Sequence, residues 1–346
     1  MGIFNYCEDR PYEQVTYFYD PETKLKAIVA IHDTTLGPAL GGTRMWNYES
    51  EEDALQDVLR LSRGMTYKAS ACGLDLGGGK AVIVGDCSRD KSEKMLKKYG
   101  QFLNFLNGRY ITAEDVGTNQ NDMDIIRQET KYVVGTSGGG GDPSPFTAYG
   151  VFRGIKAAVG HHYSTESMKG VRVAVQGLGN VGYHLCRYLY DDGAELIVTD
   201  ICKENIERTV GEFKAKAVDP ENIFDVECNI YSPCALGAVV NNKTIDRLKC
   251  EIIAGSANNV LENESHGDQL HQSGIWYIPD YIINAGGLIN VAAELDGYDK
   301  HKVLSKVENI YDTVIKIMQI SKEKDMPTSQ AADILAMERI NEAKSS

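Results

Sequence analysis

The segment VRVAVQGLGNVGYHLCRYL, residues 171–189, constrains the fold more than any other part of the chain. An apolar run typical of a buried strand leads into a helix-like pattern through glycines at positions 177, 179 and 182. In this G-x-G-x-x-G spacing, Gly177 permits a tight turn, Gly179 allows close backbone approach, and Gly182 lets the helix pack against the strand. The segment therefore predicts a βαβ unit of a parallel sheet.

The same segment predicts a ligand. A helix N-terminus offers free N–H groups and partial positive charge to a pyrophosphate, so we expect the turn to bind a dinucleotide through Gly177, Leu178, Gly179, Asn180, Val181 and Gly182. The next strand-like run ends at Asp200, 18 residues after Gly182. A carboxylate there accepts hydrogen bonds from ribose hydroxyls and repels a 2′-phosphate, which favours NAD over NADP. The alternative for Asp200 is a solvated acid at a strand end.

Strand-like and helix-like runs alternate on both sides of the glycine-rich segment GTSGGGGDPSPFTAY, residues 135–149. This alternation is typical of the α/β class, and 346 residues suffice for two domains. We predict a substrate-binding and catalytic α/β domain over residues 1–140 and a Rossmann NAD-binding domain over residues 141–324, separated by a cleft. A C-terminal helix, residues 325–346, is expected to pack back on the first domain. The glycine-rich segment is either a plain linker or a hinge.

Composition excludes several classes of function. A net charge of −13 argues against a nucleic-acid partner. Eight cysteines, scattered without metal-ligand spacing, are interpreted as reduced thiols, and with no signal-like amino terminus this indicates a cytoplasmic protein that needs no metal. No apolar run approaches the length of a membrane-spanning helix.

Lys80 follows three glycines and precedes an apolar strand-like run, AVIVG. Lysine is rarely buried without a partner, so Lys80 is either a snorkelling surface residue or a chemical group. Lys68, the double glycine at Gly41 and Gly42, and Asp115 after the strand-like RYITA suggest a substrate site. Taken singly, Lys68 and Asp115 are equally consistent with helix-capping roles.

Eight strings carry a resemblance to a known family: LGPALGGTRM, GMTYKASACGLDLGGGKAVI, NGRYITAEDVGT, PSPFTAYGV, GLGNVG, PCALGA, GSANN and INAGGLINVA. In this order and spacing, from about residue 30 to residue 295, the chain resembles the Glu/Leu/Phe/Val dehydrogenases, and among them most closely the leucine dehydrogenases. The resemblance implies NAD-dependent oxidative deamination of an L-amino acid to a 2-oxo acid and ammonium. It also implies a homo-oligomer, commonly an octamer in leucine dehydrogenases.

The resemblance also implies roles for single residues. Lys80 would be the catalytic lysine, Asp115 would help to move protons, and Lys68 would bind the substrate carboxylate. Thr147 and Asn258 would lie near the nicotinamide, and Asn284 near the substrate's amino or carboxyl group. Further residues expected to bind the substrate are Gly41, Gly42 and Met65.

The substrate side chain is expected to be apolar. Glutamate dehydrogenases have a lysine and a serine at the positions of Leu40 and Val291, and without that pair a distal carboxylate would be buried at a cost of several kcal/mol. Ala113 stands where phenylalanine dehydrogenases typically have glycine, and Leu288 where leucine dehydrogenases commonly have valine. We therefore expect a branched-chain substrate, leucine with valine and isoleucine.

Three alternative functions have different sequence requirements. The enzyme could act on phenylalanine or another apolar amino acid. A 2-hydroxy acid dehydrogenase would need a His/acid pair, for which the histidines offer no setting. A non-catalytic NAD-binding regulator would be expected to have lost Lys80 or Asp115.

Overall fold

A computed structural model of the protein describes residues 12–345. The chain forms two compact units. The first unit takes the chain up to Gly141, Val291–Asp299 and the chain from Ala336 onward; the second takes Asp142–Asn290 and Lys300–Leu335.

The first unit is built on a five-stranded mixed sheet of order β1-β2-β4-β3-β5. Strands β1 and β2 pair antiparallel, as do β2 and β4, whereas β3 runs parallel to both β4 and β5. The strands are β1 Gln14–Asp20, β2 Leu25–Asp33, β3 Ala39–Trp46, β4 Gly77–Val84 and β5 Tyr110–Glu114. Within residues 12–141 the α-helices are α1 Glu51–Ala71, α2 Glu93–Leu103 and α3 Gln120–Arg127.

Helices cover both faces of this sheet. On one face, residues of α1 pack against alternate residues of β2 and β4: Ala54, Leu55, Val58, Leu59, Ile28, Ala30 and Val82. On the other face, α2 and α3 bury Met95, Leu96, Tyr99, Leu103, Met123 and Ile126. Ser50 caps α1 by accepting a 3.1 Å hydrogen bond from the Asp53 N–H, which satisfies one of the free N–H groups at the start of this helix.

The second unit contains a six-stranded parallel sheet of order β11-β10-β9-β6-β7-β8. Its strands are β6 Arg172–Gln176, β7 Glu195–Thr199, β8 Lys216–Ala217, β9 Ile230–Pro233, β10 Ile252–Ile253 and β11 Trp276–Tyr277. The order reverses at β6, as in Rossmann-type sheets. The predicted α/β class, with a Rossmann-like second sheet, is confirmed.

Within residues 142–345 the α-helices are α4 Ser144–Tyr163, α5 Asn180–Asp191, α6 Lys203–Phe213, α7 Glu264–Gln272, α8 Asp280–Ile283, α9 Gly286–Ala292, α10 Lys300–Glu308, α11 Ile310–Lys324 and α12 Thr328–Ser345. Among residues 12–345, no helix has the length and apolar character needed to cross a bilayer. The seven cysteines in that range are free thiols, and Cys7 lies outside it.

The centre of the first sheet differs from the sequence-based prediction. No strand was predicted over Ala39–Trp46, which forms β3, and β4 begins at Gly77 rather than at Ala81. Glycines are poor strand formers, but here close packing requires them. A Cβ at Gly78 would lie only 2.0 Å from the Thr66 backbone nitrogen of α1.

The glycine-rich segment is held by a side chain of its own unit. The Glu294 carboxylate accepts hydrogen bonds from the Gly135 N–H at 2.9 Å and from the Gly140 N–H at 2.8 Å. The segment is therefore more constrained than four consecutive glycines suggest.

Candidate active site

Lys80 is buried on a central strand. It is the fourth residue of β4, which lies between β2 and β3, and its side chain is 8% exposed. Because side chains alternate along a strand, Lys80 faces the same side as Val82, which packs in the cluster of α1. Lys80 is therefore not a snorkelling surface residue.

Asp115 supplies the charge that pairs with this lysine. It directly follows β5, and its Oδ2 lies 3.0 Å from the Lys80 Nζ. Ala113 is two residues earlier on β5 and pairs with Gly42 of β3. A Cβ at Gly42 would lie 2.9 Å from the Asp115 Cβ, so glycine is needed for this approach.

Burial and charge oppose each other in this pair. Burial lowers the pKa of the Lys80 amine below its ordinary value, although the Asp115 carboxylate opposes that shift. Burial alone would raise the pKa of Asp115, but the positive charges of Lys80 and Arg44 bring it below its ordinary value. The lysine therefore releases its proton more readily than a solvated lysine does, while the carboxylate stays ionised.

Helix α1 and strand β3 line the same region. The Met65 Cγ would lie 3.4 Å from a Cβ at Gly41. Lys68 lies in the last turn of α1, three residues beyond Met65 and therefore on the same face of the helix. Leu40, the residue before the double glycine, is 1% exposed. The first unit thus brings together Gly41, Gly42, Met65, Ala113 and the ion pair of Lys80 with Asp115.

The second unit brings two of the predicted asparagines together. The Asn284 amide donates hydrogen bonds to the Asn258 side-chain oxygen at 2.7 Å and to the Ser256 carbonyl at 3.2 Å. Thr147, in the first turn of α4, donates to the Pro143 carbonyl at 3.1 Å. A Cβ at Gly287 would lie 2.8 Å from the Thr147 Oγ1, so glycine permits this close approach.

Leu288 and Val291, both predicted to contact the substrate side chain, lie on α9 and are each partly exposed. A spacing of three residues places them on one face of that helix. They therefore form one apolar stripe.

The predicted dinucleotide turn has the geometry that its glycines require. Gly177 has a φ of +100°, which favours glycine, and a Cβ at Gly182 would lie 2.0 Å from the Gly177 carbonyl oxygen. At Gly179 a Cβ would meet no atom within 4 Å, so this side of the turn is open. Gly179 caps α5 without any side-chain hydrogen bond. Leu178, Asn180 and Val181 complete the turn.

Asp200 is tied to the turn. Its carboxylate accepts hydrogen bonds from the Leu178 N–H at 2.5 Å and from the Cys202 N–H at 2.7 Å. Carboxylate oxygens have lone pairs beyond these two bonds. The uncapped helix N-terminus, the open face at Gly179 and the acid at the end of β7 fit a dinucleotide.

Three polar residues that were not predicted from the sequence adjoin the ion pair of Lys80 with Asp115. Arg44 on β3 places its Nε 3.0 Å from the Asp115 Oδ2 and its Nη1 2.9 Å from the Asp57 Oδ2. The Tyr48 hydroxyl donates to the same Asp57 oxygen at 2.7 Å. The sequence feature that could have identified Arg44 is its position two residues after the double glycine at Gly41 and Gly42.

Family sequence models match both parts of the chain. The Glu/Leu/Phe/Val dehydrogenase dimerisation domain matches residues 13–132, and the Glutamate/Leucine/Phenylalanine/Valine dehydrogenase model matches residues 138–200 and 198–346. The chain belongs to the Glu/Leu/Phe/Val dehydrogenase family. It is therefore an amino acid dehydrogenase of an NAD(P)-dependent family, as the resemblance implied.

Curated relatives of this amino acid dehydrogenase span nearly its whole length. Leucine dehydrogenase of Geobacillus stearothermophilus is 59% identical over 343 residues, which are 98% of this chain and 94% of that protein. L-tryptophan dehydrogenase of Nostoc punctiforme is 49% identical over 347 residues, covering 100% of this chain and 98% of that protein.

Solved structures share the fold. The crystal structure of L-tryptophan dehydrogenase from Nostoc punctiforme superposes with a TM-score of 0.90 at 47% identity, covering 99% of this chain and 100% of that one. The hetero-hexameric glutamate dehydrogenase from Thermus thermophilus has a TM-score of 0.78 at 20% identity, covering 96% of this chain and 89% of that one. This second likeness concerns the fold alone.

Proposed function

We propose that this protein catalyses the reversible, NAD-dependent oxidative deamination of branched-chain aliphatic L-amino acids, leucine together with valine and isoleucine. The products are the 2-oxo acid and ammonium. The buried ion pair between Lys80 and Asp115 carries this proposal, because it supplies a lysine of lowered pKa beside a carboxylate. The substrate preference is supported by several leucine dehydrogenases at 56–59% identity and by the apolar Leu40 and Val291.

The first unit is proposed as the substrate-binding and catalytic domain, predicted over residues 1–140 with the helix of residues 325–346. The second is proposed as the NAD-binding domain, predicted over residues 141–324. Its turn offers Gly177–Gly182, and Asp200 favours NAD over NADP because a carboxylate repels a 2′-phosphate. Thr147 and Asn258 are proposed to contact the nicotinamide end. A homo-oligomer and a cytoplasmic location belong to the same proposal.

The chain's own groups then have defined tasks. Bound NAD supplies the acceptor for the hydride that leaves the substrate α-carbon. Lys68 holds the α-carboxylate by charge, and Asn284 contacts the amino or carboxyl group. The neutral Lys80 amine takes a proton from the water that attacks the resulting imine, and Asp115 exchanges protons with the departing nitrogen. Collapse of the carbinolamine then releases ammonium and the 2-oxo acid.

The test is NADH formation with NAD and, separately, L-leucine, L-valine, L-isoleucine, L-phenylalanine, L-tryptophan and L-glutamate. We expect the three branched-chain substrates to have the highest kcat/KM. A preference for phenylalanine or tryptophan would refute the branched-chain assignment. No turnover with any amino acid, despite NAD binding, would favour the regulatory alternative.

The cofactor preference has its own test. Replacing NAD with NADP should lower kcat/KM strongly, since a 2′-phosphate beside Asp200 brings like charges together at a cost of several kcal/mol. Asp200→Ser should narrow the gap between the two cofactors. Equal use of both by the unaltered protein would contradict the assignment to NAD.

A further inference from the structure

The Asp115 carboxylate has two cationic partners on a single oxygen. Both the Lys80 Nζ and the Arg44 Nε lie 3.0 Å from its Oδ2. Lysine changes its protonation state in proteins, whereas arginine keeps its charge. The two contacts therefore differ in kind, because only the one with Arg44 persists as an ion pair when Lys80 becomes neutral.

Arg44 is itself held in place from a second side. Its Nη1 lies 2.9 Å from the Asp57 Oδ2, and Asp57 also accepts hydrogen bonds from the Tyr48 hydroxyl at 2.7 Å and from Arg60 at 2.9 Å. The side chains of Arg44 and Asp57 are only 20% and 17% exposed. A guanidinium bound through two different nitrogens is fixed in orientation as well as position.

The fold explains why these side chains meet. Strand β3 pairs in parallel with β4, and Arg44 lies opposite Val82, two residues beyond Lys80. Val82 packs in the cluster of α1, so Arg44 and Lys80 face that helix. Asp57 lies on α1 and Asp115 follows β5 on the other side of β3. Arg44 therefore bridges the helix and the catalytic carboxylate.

We propose that Arg44 is a positioning residue for the catalytic pair: anchored by Asp57, it fixes the Asp115 carboxylate and keeps it ionised when Lys80 has released its proton, until Asp115 exchanges a proton with the departing nitrogen. The proposal rests on the proposed function, in which Lys80 acts as the base. Without Arg44, the neutral form of Lys80 would leave a buried carboxylate with no cation on this oxygen, and such a carboxylate tends to take up a proton. Asp115 would then compete with the lysine for protons.

The charged groups that bear on Lys80 act with opposite signs. Besides burial, Asp115 and Asp57 raise its pKa, whereas Arg44 lowers it. Lys68, also on α1, adds a further cation to the same region in the proposed site. Removing Arg44 and removing Asp57 should therefore shift the titration of Lys80 in opposite directions, which a purely structural role would not do.

The first experiment follows kcat against pH for Arg44→Met, Arg44→Lys and Asp57→Asn. In Arg44→Met, the acidic limb of the kcat–pH profile, which reports the loss of the Lys80 proton, should move to higher pH by about 1 unit. The variant removes a like charge near Lys80, and a like charge within 4–6 Å shifts a pKa by about that much. We expect kcat to fall up to about 100-fold because Asp115 loses its anchor. Arg44→Lys should restore most of the limb position, and Asp57→Asn should move the limb slightly down.

The second experiment measures the titration of Lys80 without turnover. Competitive acetylation across pH, quantified on the peptide that contains Lys80, gives the midpoint of its amine, and the partly exposed Lys97 serves as the internal reference. We expect the Lys80 midpoint to rise in Arg44→Met and fall in Asp57→Asn, with Lys97 unchanged. NAD binding and thermal unfolding establish that each variant is folded, and Arg44→Gln, which also removes the positive charge, replaces Arg44→Met in both experiments if the latter does not fold.

The outcomes separate the two proposals. The role of Arg44 would be overturned if, in all variants, the Lys80 midpoint and the acidic limb of kcat stayed within about 0.3 pH units of those of the unaltered protein. That margin corresponds to roughly 0.4 kcal/mol. If the unaltered protein deaminated no amino acid, the proposed function would fail, while the acetylation midpoints would still decide whether Arg44 controls Asp115 and Lys80.

Discussion

The cluster around Lys80 and the turn at Gly177–Gly182 are built by different means. The first depends on charged side chains from β3, β4, α1 and the end of β5, which pair with one another in a largely buried setting. The second depends on backbone: glycines at 177 and 182 that no other residue can replace without strain, and an uncapped helix end. Substitutions around Lys80 should therefore lower turnover, whereas substitutions in the glycine turn should distort its backbone.

The largest effect is expected for Lys80→Ala. General base catalysis contributes about 10²- to 10⁴-fold, so kcat should fall within that range. Stability should change little, because Arg44 still pairs with the Asp115 carboxylate. The measurements are steady-state kinetics and thermal unfolding, with Lys97→Ala as the control. Activity within tenfold of the unaltered protein would show that the side-chain site has been assigned to the wrong lysine.

Gly182→Ala and Gly179→Ala should separate the effect of backbone geometry from the effect of cofactor contact in the turn at Gly177–Gly182. A Cβ at Gly182 would lie 2.0 Å from the Gly177 carbonyl oxygen, so the backbone must move and the second unit should lose about 3 kcal/mol of unfolding free energy. A Cβ at Gly179 meets no atom within 4 Å, so stability should be kept.

Both variants should bind NADH more weakly, and this is measured by fluorescence titration beside calorimetric unfolding. Gly211→Ala, which also meets open space, is the matched control in a neighbouring helix. If Gly179→Ala bound NADH as tightly as the unaltered protein, the open face of the turn would not be the cofactor site.

The contrast between the local glycine turn and the long-range ion-pair network also explains which features could be predicted from the sequence. The turn at Gly177–Gly182 lies within six consecutive residues, so local spacing was enough to predict it. The ion-pair network joins Arg44, Asp57, Lys80 and Asp115, which are separated by up to 71 residues. No periodicity links such positions, and the family resemblance pointed to Lys80 and Asp115 alone.

Arg44 was not predicted as part of the site because strand β3, on which it lies, was not predicted. Residues 39–46 contain two glycines and a threonine, which do not form an apolar run, and no strand was predicted there. Their strand conformation is set by two parallel neighbours, β4 and β5. Without β3, nothing in the sequence directed Arg44 toward Asp115.

A smaller effect concerns His32, a partly buried imidazole of the first unit that lies outside this ion-pair network. Burial lowers the pKa of His32 to about 4, with Arg63 and Lys344 adding to the shift and Asp33 and Glu13 opposing it. The unfolded chain, with the ordinary value of 6.5, then binds the extra proton. Stability is therefore full above pH 6.5 and falls as the pH drops toward 4, by up to about 3 kcal/mol.

His32→Gln should remove this part of the pH dependence and keep a polar partner for Thr66, whose Oγ1 lies 2.9 Å from the His32 Nδ1. The measurement is denaturant unfolding at several pH values between 4 and 7.5, a window set roughly by the ordinary histidine pKa. His301→Gln, at an exposed position, serves as the control. An unchanged pH slope in His32→Gln would mean that other groups destabilise the protein in acid.

The smallest effect tests a glycine that is required by a side chain rather than by backbone. A Cβ at Gly139 would lie 2.2 Å from the Glu294 Oε1, whereas a Cβ at Gly138 would meet nothing within 4 Å. Because the Glu294 side chain can rotate away, Gly139→Ala should cost only the hydrogen bonds to the Gly135 and Gly140 N–H groups, about 1 kcal/mol. Glu294→Gln should weaken the same bonds, and Gly138→Ala should leave the unfolding free energy unchanged.

A loss of unfolding free energy in Gly139→Ala as large as that in Gly182→Ala would mean that the glycine-rich segment is also fixed by its backbone. Unchanged turnover and substrate affinity after replacement of both Gly139 and Gly140 by Ala would favour a plain linker over a hinge.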